Sequence, residues 1–246
     1  MHASVCALQE GRKKMNTALT QGSKDTWLLE RRRDVFSQFG EDGVLEAVFE
    51  VIGTESKWCV EFGAWDGRYY SNTHRLMENE GWNGVFIEAD PTKTADLEKT
   101  YAANPRAVCI NQIVSFEGQS SLDEILARTK TPVTFDLLSV DVDGSDYHIW
   151  DSLKRYTPRM VVIEFNPSIP ASEAFIQPRD MRVHQGSSLC AFVKLAKDKG
   201  YELIATTDTN AFFVLRELFP QFGIADNSPE TLWPFRDRQT VVFQLY

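Results

Sequence analysis

VEFGAWDGRYYSN, Val60 to Asn72, decides the fold. An apolar strand runs into an acid, Glu61, and then into two glycines, Gly63 and Gly67, before a helical pattern begins. Glycine has no Cβ, so such a turn lets backbone approach a ligand closely. A dinucleotide fingerprint spaces its glycines as G-x-G-x-x-G so that a helix N-terminus meets pyrophosphate; here they read G-x-x-x-G, with Glu61 ahead and Asp66 between. Two carboxylates beside the turn repel a pyrophosphate and suit a cationic sulfonium or amino group. The competing reading of the same residues is a plain strand-to-helix turn.

One helix later, Gly84 to Glu88 (GVFIE) forms a second short apolar strand that also ends in an acid. An acid at that tip is where nucleotide-binding α/β sheets place the residue that accepts hydrogen bonds from ribose hydroxyls. Glu88, Asp90 and Pro91 can equally cap the next helix, and one residue can do both. A turn that favours a cation, followed by a ribose acceptor, specifies S-adenosylmethionine as the ligand.

The chain of 246 residues is 43% hydrophobic, enough for one large domain with a real core. Its 26 basic and 35 acidic residues give a net charge of −9. That balance argues against a nucleic-acid partner and against an anionic membrane surface. The basic run Arg31, Arg32, Arg33, with Arg12, Lys13 and Lys14 upstream, reads as a solvated face. Cysteines 6, 59, 109 and 190 form no C-x-x-C pair, which is a reduced, intracellular pattern with Cys59 and Cys109 as small buried hydrophobes. The start MHASVCALQEGRKK has its charges after the apolar stretch, the reverse of a signal peptide, and no run reaches membrane-spanning length. The expectation is a cytoplasmic protein without a membrane partner.

Strand and helix signals alternate along the chain without an internal repeat. Residues 1–34 read as an N-terminal arm, partly flexible or helical, ahead of one domain over 35–246. A polar cluster, Ser37 to Asp42, reads as a cap for a helix from Asp42 through Val51. Strands are predicted at Lys57 to Phe62, Gly84 to Glu88, Ala107 to Ile113, Phe135 to Val142, Met160 to Phe165, Tyr201 to Thr206 and Asn210 to Leu215. Helices fall at Ser71 to Gly81, Pro91 to Ala102, after the Ser121 cap, His148 to Arg155, and Ser187 to Lys199 before Gly200. The last two strands are too close for a parallel crossover and must run antiparallel. The fold class is α/β, a mostly parallel doubly wound sheet closed by an antiparallel C-terminal hairpin.

The series QFGEDGVLEAVFEVIG, VEFGAWDG, SNTHRLMENEGWNGVFIEADP, LLSVDVDGSDYHIW and VVIEFNP resembles FkbM-type methyltransferases, a branch of the class I S-adenosylmethionine-dependent methyltransferases with a Rossmann-like fold. The resemblance covers residues 35 to 215. It implies that Glu61, Gly63 and Gly67, with the flanking Ala64, Asp66 and Asn72, line the methionine end of the cofactor. It likewise places Glu88 and Ala89 at the ribose and Asp141 beside the reactive centre. The chain departs from the family where Asp-x-Glu-Gly is replaced by Asp141-Val142-Asp143-Gly144, and Leu218 to Tyr246 matches nothing in it.

In an open α/β sheet ligands sit outside the carboxyl ends of the strands, and these tips are acidic: Glu61, Glu88, Asp141, Asp143, Glu164. Asp141 with Asp143, and Glu164 with Asn166, are two apart and share a side if strand geometry persists. Four oxygen ligands on adjacent tips suit magnesium or another hard divalent cation that would orient an acceptor oxygen and lower its pKa. A loop and helix cap at Asp143 to Asp146 is the alternative. Of the four histidines, His184 in the loop after the fifth strand is the one placed to act as base, with Asp141 its competitor. Trp65, Tyr69 and Tyr70 flank the glycine turn as candidate packing for adenine or the methionine chain, and Phe165 and Pro167 as walls of the acceptor pocket.

The expected activity is methyl transfer to a hydroxyl of a small metabolite, sugar or natural product. Nitrogen methylation, other sulfonium chemistry and a non-catalytic cofactor-binding protein are the alternatives. A nicotinamide oxidoreductase is disfavoured by the missing third glycine and by Glu61. Neither a nucleic acid nor a membrane is expected as partner, and a homodimer is left open.

Overall fold

Parallel neighbours need a crossover, and the chain supplies a helix or a long connection after each of its first five strands. The computed structural model describes residues 24–233. In chain order the elements are α1 (Glu41–Ile52), β1 (Trp58–Phe62), α2 (His74–Asn79), β2 (Asn83–Glu88), α3 (Pro91–Tyr101), β3 (Ala107–Asn111) and α4 (Leu122–Leu126). They continue with β4 (Thr134–Val140), α5 (Asp146–Ser152), β5 (Thr157–Glu164), α6 (Leu189–Lys199), β6 (Tyr201–Thr206), β7 (Asn210–Leu215) and α7 (Pro229–Leu232). One seven-stranded sheet has the order β3-β2-β1-β4-β5-β7-β6. The first five strands are parallel, and β7 runs antiparallel to both β5 and β6. The predicted hairpin is therefore present, with its second strand inserted beside β5. Chain order reverses between β1 and β4, which is where a crevice opens above the carboxyl ends.

Both faces of the central strands are covered, as a parallel sheet requires. Val60 and Phe62 pack on one side with Phe135, Leu138 and Trp150. Cys59 faces the other side with Leu45, Met77, Trp82 and Phe86. Several element bounds differ from the sequence prediction, among them the ends of β3 and β4, and two differ for identifiable reasons. The helix predicted from Ser71 begins at His74, because Ser71, Asn72 and Thr73 bond the Glu61 carboxylate instead. Strand β5 begins at Thr157, ahead of the predicted Met160. Pro158, which cannot donate to a ladder, sits opposite Phe135 before the β7 pairing starts at Met160.

The segment from Lys24 packs on the domain through Leu28, fully buried, and through Trp27, whose Nε1 donates to the Phe222 carbonyl at 3.1 Å. The remainder of the N-terminal arm, residues 1–23, and residues 234–246 lie outside the described residues, Cys6 and His2 among them. Trp233 closes the described chain in the core, edge-on to Phe165 at 5.2 Å. At the end of the sheet opposite the crevice, Asp136 is fully buried and takes an Arg159 Nη1 contact of 2.6 Å. Among the described residues no helix is long and apolar enough to cross a membrane.

Candidate active site at the strand tips

A cavity of about 330 Å³ opens at the carboxyl ends of β1, β2, β4 and β5. Of the residues picked from the sequence as cofactor-binding, Glu61, Gly63, Ala64, Asn72, Glu88, Ala89 and Asp141 line it; Asp66 and Gly67 do not. Asp66 turns its carboxylate to the backbone N–H groups of Arg68 and Tyr69, at 2.9 and 2.7 Å.

The two glycines are required by the protein's own packing. Gly63 has φ +73°, and a Cβ there would lie 1.6 Å from the Asp141 carbonyl oxygen. Gly67 has the same φ, and its Cβ would lie 2.5 Å from Leu97 Cδ1 and 2.7 Å from Tyr101 Cε2. The sequence reading assigned both to close approach of a ligand; at Gly67 α3 occupies that space instead, whereas Gly63 lines the cavity with its Cβ direction closed by the tip of β4. Gly63→Ala is expected to cost about 2 to 4 kcal/mol from left-handed strain plus displacement of the β4 tip. Urea unfolding measures it, and an unchanged midpoint would show that the β4 tip yields freely.

Glu61 is buried, and both of its oxygens are committed. The Asn72 N–H reaches Oε1 at 2.9 Å, and the Ser71 and Thr73 hydroxyls reach Oε2 at 2.7 and 2.8 Å. Burial raises its pKa and these donors work against the rise. Its first effect is to stitch the glycine loop to β1. Glu88 is held by the Trp65 N–H at 2.9 Å and the Asp90 N–H at 2.8 Å. A carboxylate offers about four lone-pair sites, so acceptor capacity remains toward the cavity.

Asp141, Asp143 and Glu164 bring one carboxylate oxygen each within 4.8 Å of one another. Asp141 and Asp143 are exposed through the cavity and Glu164 is half-buried, although protein atoms crowd the Asp141 carboxyl on the side away from the opening. Burial first, then the charges of Asp146, Asp143 and Glu61, push its pKa up to about 8. Glu164 is also raised, by burial and then by Asp141, so the two carboxyls influence each other's titration. The turn that presents them is built by buried Asp146, which accepts from the Val142 and Gly144 N–H groups, both at 2.9 Å. Asp143 itself sits at φ +54°. Trp65 and Tyr70, also on the cavity wall, are at +49° and +58°. Positive φ in three non-glycine residues around one cavity is strain of the kind that accumulates at functional sites.

Four residues nominated from the sequence are not brought to this cluster. Strand β5 ends at Glu164, so the two-residue alternation stops there and Asn166 turns away: its Oδ1 accepts from the Ser168 N–H and hydroxyl, and its Nδ2 donates to the Gln185 carbonyl. His184 does not line the cavity; it is exposed, with Nδ1 3.3 Å from the Asp143 carbonyl oxygen. Phe165, nominated for the acceptor pocket, is buried against Trp233, and Pro167 is likewise absent from the cavity wall.

Other lining residues had no sequence signal. Gln38 and Glu41 come from a segment read as a helix cap and quoted in the family resemblance without a role for either, Gln112 from beyond β3, Thr209 from the β6–β7 turn and Asn210 from the start of β7. Glu41 is nearly fully buried and joins that turn to α1, with its Oε1 accepting from the Thr207 hydroxyl at 2.6 Å and from Asn210 Nδ2 at 3.3 Å. A buried acid in the first turn of a helix is the feature that could have marked it, but only the fold brings it to Asn210. Among the described residues Lys93 is the one lysine or arginine on the cavity wall, and it lies 3.8 Å over the Trp65 ring.

No family model matches the chain, and no curated protein matches it in sequence. Solved structures do match. A putative caffeoyl-CoA O-methyltransferase from Staphylococcus aureus is 13% identical with a TM-score of 0.50, over 84% of this chain and 99% of that one. A SAM-dependent methyltransferase from Aquifex aeolicus is 12% identical with a TM-score of 0.44, over 72% and 90%. A glycopeptide N-methyltransferase complexed with S-adenosyl-L-methionine is 16% identical with a TM-score of 0.41, over 73% and 90%. At these identities the likeness is one of fold, and the Staphylococcus structure carries it.

Proposed function

We propose that the chain is a class I S-adenosylmethionine-dependent methyltransferase of the FkbM type that methylates a hydroxyl oxygen of a small molecule. One observation carries the reading: the acids of four adjacent strand tips, Glu61, Glu88, Asp141 and Glu164, converge on one cavity whose wall, among the described residues, holds a single lysine or arginine, Lys93. Such a lining fits a cation and repels a pyrophosphate. When bound, S-adenosylmethionine supplies a methyl group on a positively charged sulfur.

Glu88 accepts from the ribose hydroxyls while Trp65 and Asp90 fix its orientation. Gly63 and Ala64 form the floor, tied to β2 by two N–H bonds to the Ile87 carbonyl, at 3.1 and 3.2 Å. Asp141 would take up the hydroxyl proton of the acceptor, while the bound cofactor would supply the methyl group and keep the C–S electron pair on its sulfur. Glu164, whose own pKa burial and Asp141 raise well above the ordinary value, keeps its proton and donates it in a hydrogen bond to the Asp141 carboxylate, leaving Asp141 as the group that takes up the acceptor's proton. The rest of the acceleration is positioning in a partly closed site.

The reading is tested with methyl-labelled S-adenosylmethionine and a panel of hydroxyl compounds. Label appearing as a methyl ether is the expected result. Cofactor binding without transfer to any of them would instead mark a binding-only protein.

The closeness of the three carboxylates favours a second version of the same chemistry. Asp141, Asp143 and Glu164 would hold a magnesium-like cation that lowers the pKa of the acceptor hydroxyl; Asn166 drops out because its amide oxygen is already bonded. This version expects turnover to vanish on exhaustive chelation and to return with magnesium. Full turnover in protein shown by elemental analysis to be metal-free would leave Asp141 alone as the base.

A further inference from the structure

The sheet order gives the cavity two ends. Glu88 and Gln112 stand at the β2 and β3 tips, whereas Glu164 and Asn210 stand at the β5 and β7 tips, directly paired across the two strands. With the cofactor at the β2 end, the acceptor belongs at the other, and that end has hydrogen-bonding capacity to spare. The side chains of Gln38 and Thr209 make no hydrogen bond among the described residues, although both line the cavity. Asn210 is only 7% exposed, and its Oδ1 has no hydrogen-bond partner. A buried acceptor left unpaired is costly, and a ligand hydroxyl would satisfy it.

The mouth of the same cavity is aromatic. Trp65, Tyr69 and Tyr70 are 49%, 57% and 47% exposed, well beyond what a core-packing role would leave. The two tyrosine rings stack on one another with centroids 4.0 Å apart, planes tilted by 40° and hydroxyls 3.0 Å from one another, so the pair acts as one aromatic block whose outer face serves as a platform. A ligand suited to both features has an apolar face for the rings and several groups that donate and accept at its edge. A flat aromatic acceptor meets the platform and leaves Gln38, Thr209 and Asn210 unpaired. An ammonium group meets the carboxylates, but it can only donate, whereas the Gln38 amide and Thr209 hydroxyl also need acceptors. Phosphorylated acceptors are repelled by Asp141, Asp143 and Glu164.

We propose that the methyl acceptor is an uncharged sugar ring, its face against the Tyr69–Tyr70 platform and its neighbouring hydroxyls paired with Gln38, Thr209 and Asn210. This inference rests on the methyltransferase reading, and the experiment separates the two. Calorimetry first measures S-adenosylhomocysteine binding to the native chain; no binding there refutes the methyltransferase reading itself. The saturated protein is then titrated with methyl glycosides of neutral hexoses and 6-deoxyhexoses, with the corresponding hexose phosphates, and with alkylamines.

At least one neutral glycoside is expected to bind about tenfold or more tightly than its phosphate and than any amine. Tyr69→Ala and Thr209→Val are each expected to weaken that glycoside about tenfold, and Thr209→Val to leave S-adenosylhomocysteine affinity within about twofold. Binding of none of the glycosides, preference for a phosphate or an amine, unchanged glycoside affinity in both variants, or loss of S-adenosylhomocysteine affinity in Thr209→Val overturns the assignment.

Discussion

Replacing Asp141 with asparagine is expected to slow methyl transfer by about 10²- to 10⁴-fold, the range over which a positioned general base acts, with cofactor affinity little changed. The amide is nearly isosteric but cannot take the hydroxyl proton. The pH dependence should carry the same signature. Asp141, pushed up to about 8 by burial and by Asp146, Asp143 and Glu61, is protonated at neutral pH in the ligand-free protein, so kcat/KM should rise as pH approaches that value. The asparagine variant should lose this ascending limb. Stability has the opposite sign to that of an ordinary ion-paired acid. An acid whose folded pKa lies above its unfolded value of about 4 withdraws stability as pH climbs from the lower value to the higher. Asp141→Asn should therefore melt higher than the native ligand-free protein near pH 8, with the gain gone near pH 4. Thermal melts at both pH values with a rate profile check all three expectations. A variant that turned over at the native rate would remove Asp141 from the chemistry.

Asp136→Ala is expected to destabilise the fold by about 3 to 5 kcal/mol, the cost of leaving a buried partner charge uncompensated. Asp136 accepts from Arg159 Nη1 at 2.6 Å and from the backbone N–H groups of Glu55, Ser56 and Lys57 at 3.1, 2.8 and 2.7 Å. Arg159 in turn donates to the Ile52 and Gly53 carbonyls, both at 2.9 Å, so the pair fastens the α1–β1 loop under β4 and β5. Burial works to raise the Asp136 pKa, but Arg159 and the three N–H groups together outweigh it and hold the carboxyl below its ordinary value. Its contribution is present above the unfolded pKa of about 4 and is lost as pH falls through the lower folded value. Urea titrations at pH 7 and pH 3 should show the Asp136→Ala deficit shrinking in acid. Replacing Asp136 and Arg159 together by leucine and methionine should recover part of the loss, because no lone charge then stays buried. An Asp136→Ala midpoint equal to that of the native protein would contradict this account.

The sheet was legible because its signals are local. Strands β6 and β7 were bounded to the residue, and their short turn dictated antiparallel pairing. Glu61, Glu88, Asp141 and Glu164 were legible as strand tips for the same reason. What failed were inferences that carried strand geometry past the strand. Asn166 lies two residues beyond the end of β5, where its amide is captured by Ser168 and Gln185. His184 was chosen for being a polar histidine in a suitable loop, and the loop leaves it outside the cavity wall. Gly67 was read as room for a ligand, yet a glycine pattern does not tell which neighbour needs the space, and Leu97 and Tyr101 fill it. Gln38, Glu41, Thr209 and Asn210 were missed because two segments distant in sequence meet only after β7 inserts beside β5.

The central claim is that the strand-tip cavity holds S-adenosylmethionine with Glu88 on its ribose. Titration calorimetry of S-adenosylmethionine into the native protein and into Glu88→Ala tests it most directly. One bound molecule per chain is expected, weakened by about 2 to 4 kcal/mol in the variant through lost charge-assisted hydrogen bonds, with a circular dichroism spectrum showing the variant folded. Absence of binding to the native protein, or equal affinity in a folded Glu88→Ala, would contradict the claim.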